Sequence, residues 1–99
     1  MLGAPSPMDR PDLYVLARML ERLWREQRPM LKTRLQVASK VNYDLFRRYL
    51  AWMDERGLVS VENCEDGHER ISLTPKGLEA YRKLVQWVNE VIHRKGPGS

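Results

Sequence analysis

The sequence predicts a mainly α fold carrying a β-hairpin (α+β). Three observations lead there: four stretches with apolar residues at helical spacing, two short alternating runs flanking an Asp66-Gly67 turn, and a Thr74-Pro75 pair opening the last and longest helical stretch. At 99 residues, 42% hydrophobic and 30% charged, the chain supports one core rather than two and has too much apolar character for disorder. It contains no apolar run of membrane length.

The first residues, with Gly3, Pro5 and Pro7, carry no periodic pattern and read as a flexible arm, 1–9, without the basic start and apolar stretch of a secretion signal. Asp9 is the expected N-cap of the first helix, with Pro11 in its first turn. Leu13, Leu16, Ala17, Leu20, Leu23 and Trp24 then mark an apolar face that runs to Glu26 and is stopped by Pro29. Met30 and Leu31 lead into a second, shorter helical segment through Leu35, Val37 and Ala38, and Ser39-Lys40-Val41 reads as a turn. Asn42 is the N-cap of a third helix that buries Leu45, Phe46, Tyr49, Leu50, Trp52 and Met53 and closes at Gly57, a left-handed position. Residues 58–63 and 68–73 alternate as hairpin strands around Cys64-Glu65-Asp66-Gly67. Thr74 and Pro75 then open a helix that continues without interruption to about His93, a length of about 28 Å. Gly96-Pro-Gly-Ser99 reads as a disordered tail of cloning-remnant type, 96–99.

The net charge of +4 is unevenly placed. Residues 28–48 hold Arg28, Lys32, Arg34, Lys40, Arg47 and Arg48 against Asp44, a net of +5, whereas residues 61–70 hold Glu62, Glu65, Asp66 and Glu69 against Arg70, a net of −3. One window is therefore more positive than the whole chain.

Three blocks carry a family resemblance over residues 31–77: Leu31-Lys-Thr-Arg-Leu, Asn42-Tyr43 with Leu45 and Tyr49-Leu50, and Gly57-Leu-Val followed by Leu73-Thr-Pro-Lys-Gly77. In this order they resemble the archaeal winged helix-turn-helix DNA-binding proteins that dimerise through a C-terminal helix. The resemblance implies a winged helix-turn-helix domain over 10–75, a C-terminal dimerisation helix over 76–95, and a small DNA-binding homodimer, either a transcription regulator or a chromatin-type protein, cytoplasmic and nucleoid-associated.

In such a domain the third helix enters the major groove and the second crosses the backbone. On the third helix Tyr43, Asp44, Arg47 and Arg48 point away from the apolar stripe. Arg47 is expected to read a base edge, since arginine pairs bidentately with guanine O6 and N7, and Arg48 to reach a base or a phosphate. Lys32, Thr33 and Arg34 at the start of the second helix, and Lys40 in the turn, suit phosphates. Asn42 and Tyr43 complete the expected contact set. The bland alternative is that these cations pair with Asp44, Asp54 or Glu55 on a solvated surface. The hairpin tip, Asn63-Cys-Glu-Asp-Gly-His-Glu69, would repel phosphates, which leaves open a domain that instead binds protein through its acidic wing or its last helix.

Along the last helix Leu78, Tyr81, Val85, Val88 and Ile92 step by three and four, and Gly77, Ala80, Leu84, Trp87 and Val91 repeat the steps one residue earlier. Two adjacent seams exceed what packing on one small domain needs. They predict a coiled-coil-like homodimer interface of Tyr81, Leu84, Val85, Trp87, Val88, Val91 and Ile92, the alternative being a monomer in which the first helix, with Leu16, Leu20, Leu23 and Trp24, folds back over both seams. With about four phosphates neutralised per subunit, log affinity would fall with log salt at a slope of roughly −7.

Catalysis has no foothold: there is no glycine-rich phosphate loop, no paired-carboxylate motif, and no base identified beside Cys64. One cysteine makes no internal disulfide. His68 and His93 lack metal-ligand spacing, so neither metal nor cofactor is expected.

Overall fold

The computed structural model describes residues 11–92. The expected arm 1–9, the Asp9 cap, His93 and the tail 96–99 lie outside those residues. The chain runs α1 (Leu13–Glu26), β1 (Met30–Leu31), α2 (Lys32–Ser39), α3 (Tyr43–Glu55), β2 (Val59–Asn63), β3 (Glu69–Leu73) and α4 (Pro75–Trp87), which passes into a π-helical turn, Val88–Ile92.

The cap of α1 is Asp12. Its carboxylate accepts from the Tyr14 amide at 2.8 Å and the Val15 amide at 3.4 Å, so Pro11 precedes the helix rather than sitting in its first turn. The Tyr49 hydroxyl accepts from the Asp12 amide at 2.7 Å and ties this start to α3. The buried face is Val15, Leu16, Met19, Leu20 and Leu23, rotated from the expected stripe so that Leu13 and Trp24 stay exposed. The helix ends at Gln27, left-handed at φ 54°, two residues before Pro29.

Met30 and Leu31 were expected to lead into a helix and instead form a strand. They pair antiparallel with Ile71 and Arg70, which converts the expected hairpin into a three-stranded sheet of order β1-β3-β2. Ile71, central in β3 and fully buried, offers Met30 a partner across the sheet.

Between α2 and α3 the chain turns at Lys40, left-handed at φ 58°, while the Arg18 guanidinium donates to the Ser39 carbonyl at 2.7 Å from α1. Asn42 caps α3 as expected, its side chain accepting from the Leu45 amide at 2.8 Å, and Gly57 leaves the helix at φ 73°. The Thr74 hydroxyl accepts from the Gly77 amide at 2.9 Å and donates to the Gly57 carbonyl at 2.6 Å, so one side chain starts α4 and fixes the end of α3.

Met19, Leu20, Leu35, Phe46, Met53 and Ile71 form the fully buried centre, drawn from α1, α2, α3 and β3. From α4 only Gly77 is buried, with Ala80 and Tyr81 packed at the core's edge. The last helix therefore lies on the outside. It is also not uninterrupted: after Trp87 the chain widens into the π turn, with the Val88 amide shared between the Leu84 and Val85 carbonyls. A π turn takes more residues per revolution than the α-helix before it.

A candidate nucleic-acid interface and an exposed helix face

The fold sets α3 with one face in the core and the opposite face, Tyr43, Asp44, Arg47, Arg48 and Ala51, in solvent. Asp44, in the first turn, faces two arginines one turn on. Its carboxylate lies 3.1 Å from the Arg48 guanidinium and 3.7 Å from that of Arg47. The Tyr43 ring lies beneath two cations, Lys32 at 5.8 Å and Arg47 at 5.9 Å from its centroid. Lys32, Tyr43, Arg47 and Arg48 thus share one surface, beside a cleft of about 410 Å³ between α3 and β2 that reaches Ala51, Asp54 and Val61.

The other expected contacts lie apart. Thr33 and Arg34 line a separate shallow cleft of about 360 Å³ with Arg22, Val37 and Ala38, and Arg34 sits 3.7 Å from Glu26 of α1. Lys40 is exposed in the turn, and the side-chain oxygen of Asn42 is taken up by its capping bond.

Two carboxylates shape this surface and neither was among the expected site residues. Glu69 of β3 accepts from Lys32 at 2.9 Å with both side chains half-buried, and this hydrogen bond raises the Lys32 pKa above its ordinary value against the opposing effect of burial. Asp44 is the second. Exposed pairs of its kind contribute about 0–1 kcal/mol, so the arginines can exchange it for other partners. The Asp44 pairs follow from i, i+3 and i, i+4 spacing. The Lys32–Glu69 pair spans 37 residues and has no sequence signal.

The hairpin tip is less repulsive than its composition suggests. Asp66 accepts from the His68 amide at 3.0 Å and lies 3.4 Å from two nitrogens of Arg70; the His68 amide, foremost, holds its carboxyl below the usual range. With Glu69 on Lys32, the acidic charge of the hairpin left without an ion pair among the described residues is that of Glu62 in β2 and Glu65 at the tip.

On the opposite side α1 and α4 meet through Trp24 and Tyr81, ring centroids 5.7 Å apart. Leu84, Val85 and Val88 are half-buried along α4, while Trp87 is 46% and Val91 57% exposed; the Ile92 side chain lies outside the described residues. Two grooves flank the Tyr81–Val85 ridge. One, of about 540 Å³, runs past Trp24, Gln86 and Asn89, and the other, of about 330 Å³, runs past Tyr14, Ala17 and Leu84. Of the first-helix residues that could cover the seams, Leu16, Leu20 and Leu23 are buried in the core and Trp24 packs on Tyr81, while Tyr14 and Trp24 remain exposed and extend this face beyond the last helix. Among the described residues no three His, Cys, Asp or Glu side chains gather to hold a metal, and no helix is long and apolar enough to cross a membrane.

A family model described as winged helix-turn-helix matches residues 10–92. Among solved structures the chain is similar to Sso10a-2, a DNA-binding protein from Sulfolobus solfataricus, with 15% identity, a TM-score of 0.72, and coverage of 85% of this chain and 84% of that one. A winged-helix DNA-binding protein from STIV is matched at 16% identity and TM-score 0.70, over 93% of this chain and all of that one (100%). The PcaV transcriptional regulator from Streptomyces coelicolor is matched at 18% identity and TM-score 0.69 over 78% of this chain, which spans only 60% of that regulator's length. At these identities the likeness is one of fold. No curated protein matches.

Proposed function

The chain belongs to the winged helix-turn-helix family, and from that premise we propose that it binds double-stranded DNA as a homodimer and acts as a transcription regulator or a chromatin-type protein, without catalysis. Residues 10–75 are the DNA-binding domain and 76–95 the dimerisation helix. The observation that carries the reading is the placement of Tyr43, Arg47 and Arg48 on the exposed face of α3, beside Lys32 of α2. α3 enters the major groove, about 12 Å wide, with Arg47 at base edges and Arg48 at a base or phosphate. Thr33, Arg34 and Lys40 take phosphates on the α2 side, Asn42 and Tyr43 lie at the groove's lip, and Lys32 exchanges Glu69 for the backbone. A protein working on DNA in this way would be cytoplasmic and nucleoid-associated. Titration of a duplex tests the reading: saturable binding at low salt is expected, and no binding would favour a module that binds protein through its acidic wing or its last helix.

The homodimer rests on α4. A core that buries only Gly77 from this helix leaves Tyr81, Leu84, Val85, Trp87, Val88 and Val91 with an incomplete apolar environment, and a two-fold partner would cover them. Trp87→Glu places a charge in that interface and is expected to convert the dimer to a monomer in light scattering; a dimer that persists places the interface elsewhere.

A further inference from the structure

Asp44 is an odd residue for a surface that meets polyanions. It stands in the first turn of α3, 63% exposed, at the centre of the positive face. A phosphate approaching Arg47 or Arg48 meets the Asp44 charge as well, and finds each guanidinium already facing a carboxylate oxygen at 3.7 Å or 3.1 Å. Of the amides at the start of α3, that of Leu45 is taken up by the Asn42 side chain. An anion arriving at this end of the helix therefore meets the Asp44 carboxylate and one amide fewer.

The pair suits another ligand. A phosphate offers acceptors only. The major-groove edge of a G·C pair offers two acceptors, guanine O6 and N7, beside a donor, the cytosine N4 amino group. Asp44 with its arginines presents the complement, guanidinium donors next to a carboxylate acceptor, held within one helical turn by the i, i+3 and i, i+4 spacing. Arginine to guanine and carboxylate to cytosine N4 are both established pairings of donor and acceptor. The Tyr43 ring under Arg47 keeps that side chain against the start of the helix, on the same side as Asp44.

We propose that Asp44 is a specificity-determining residue that, with Arg47 or Arg48, reads one G·C pair in each half-site and discriminates against backbone binding. The inference rests on the DNA reading given above. In this arrangement the carboxylate accepts a hydrogen bond from cytosine N4 while an arginine donates to guanine, and against a phosphate the same carboxylate is repulsive.

The test is selection of bound duplexes from a random-sequence library with the wild-type chain and Asp44→Asn, together with a salt titration of each on a random-sequence duplex. Asparagine is close in shape, retains helix-starting character, and pairs with adenine N6 and N7 rather than with cytosine. The expected result is a G·C preference at one position of each wild-type half-site that is relaxed or turned to A·T in the variant, other positions unchanged. Affinity for the random duplex rises several-fold, and its log–log salt slope steepens by about 0.9 for each subunit engaged. Circular dichroism confirms that the variant retains its helices. A selected motif that is the same in both proteins overturns the proposal, whether or not the affinity changes. A wild-type chain that binds no duplex overturns the DNA reading and this inference with it, which separates the two failures.

Discussion

Replacing Arg47 and Arg48 together by alanine is expected to lower affinity for duplex DNA by on the order of a hundredfold or more, with the fold intact. Each bidentate arginine–guanine contact contributes about 1–3 kcal/mol, and a dimer loses both arginines twice. The variant also leaves Asp44 without its two cations on an exposed surface, which adds repulsion where attraction stood. Stability should change little, because both side chains are about half-exposed and their pairs with Asp44 contribute about 0–1 kcal/mol. Fluorescence anisotropy on a labelled duplex measures the loss, and circular dichroism guards against unfolding. Unchanged affinity would remove α3 from the interface. The single variants divide the roles: loss of a base reader changes the selected sequence, and loss of a phosphate contact weakens all sequences alike and flattens the salt slope by about 0.9 for each subunit engaged.

The largest effect on stability is expected from Gly77→Ala. In the middle of a helix this exchange ordinarily stabilises, by about 0.5–1 kcal/mol. At Gly77 a β-carbon would stand 2.0 Å from the Leu58 carbonyl oxygen and 2.8 Å from the Leu73 side chain. Backbone cannot give way as a side-chain tip can, and the same Leu58 carbonyl accepts from the Thr74 amide at 3.1 Å. To make room α4 must lift, losing that bond and the Thr74 cap behind it. Overpacking of this kind costs about 1–3 kcal/mol, and a contact with backbone belongs at the upper end. Urea denaturation should therefore show a midpoint shifted down by an amount corresponding to about 3 kcal/mol. A neutral or stabilising result would mean that α4 does not approach the Leu58 carbonyl as described.

Gly77 also shows what the sequence could and could not reveal. Its place in a three-four pattern marked it as part of an apolar seam, but the reason for glycine is a close approach to a carbonyl nineteen residues earlier, and such long-range contacts leave no local pattern. The helices, the left-handed Gly57, the Asn42 and Thr74 caps and the Asp66-Gly67 turn were legible because each is set by chemistry within four or five residues. β1 was not, since two residues cannot display a period and Met30 is fixed by Ile71 across the sheet. The start of α1 was displaced because Asp9 and Asp12 are equally good caps in isolation, and the Tyr49 hydroxyl on the Asp12 amide favours the second.

The candidate site divides in the same way. The exposure of Tyr43, Arg47 and Arg48 followed from helical phase, since the apolar stripe of α3 leaves them only one side to occupy. The engagement of Lys32 by Glu69 did not, because it depends on β3 lying beside the start of α2. Charge summed by segment made the hairpin appear uniformly repulsive, whereas the folded chain spends Asp66 on Arg70 and Glu69 on Lys32. Along α4 the pattern pointed to an interface and Trp24 to a cover from α1, whereas the exposure of Tyr14 comes from a rotation of the buried stripe that periodicity alone leaves undetermined.

Whether the α2–α3 surface binds duplex DNA through its cations is decided by measuring the affinity for a random-sequence duplex over a range of salt concentrations. Saturable binding is expected, its log affinity falling linearly with log salt at a slope of roughly −7 if each subunit of a dimer neutralises about four phosphates. Binding indifferent to salt, or absent at low salt, would contradict such a role for the surface.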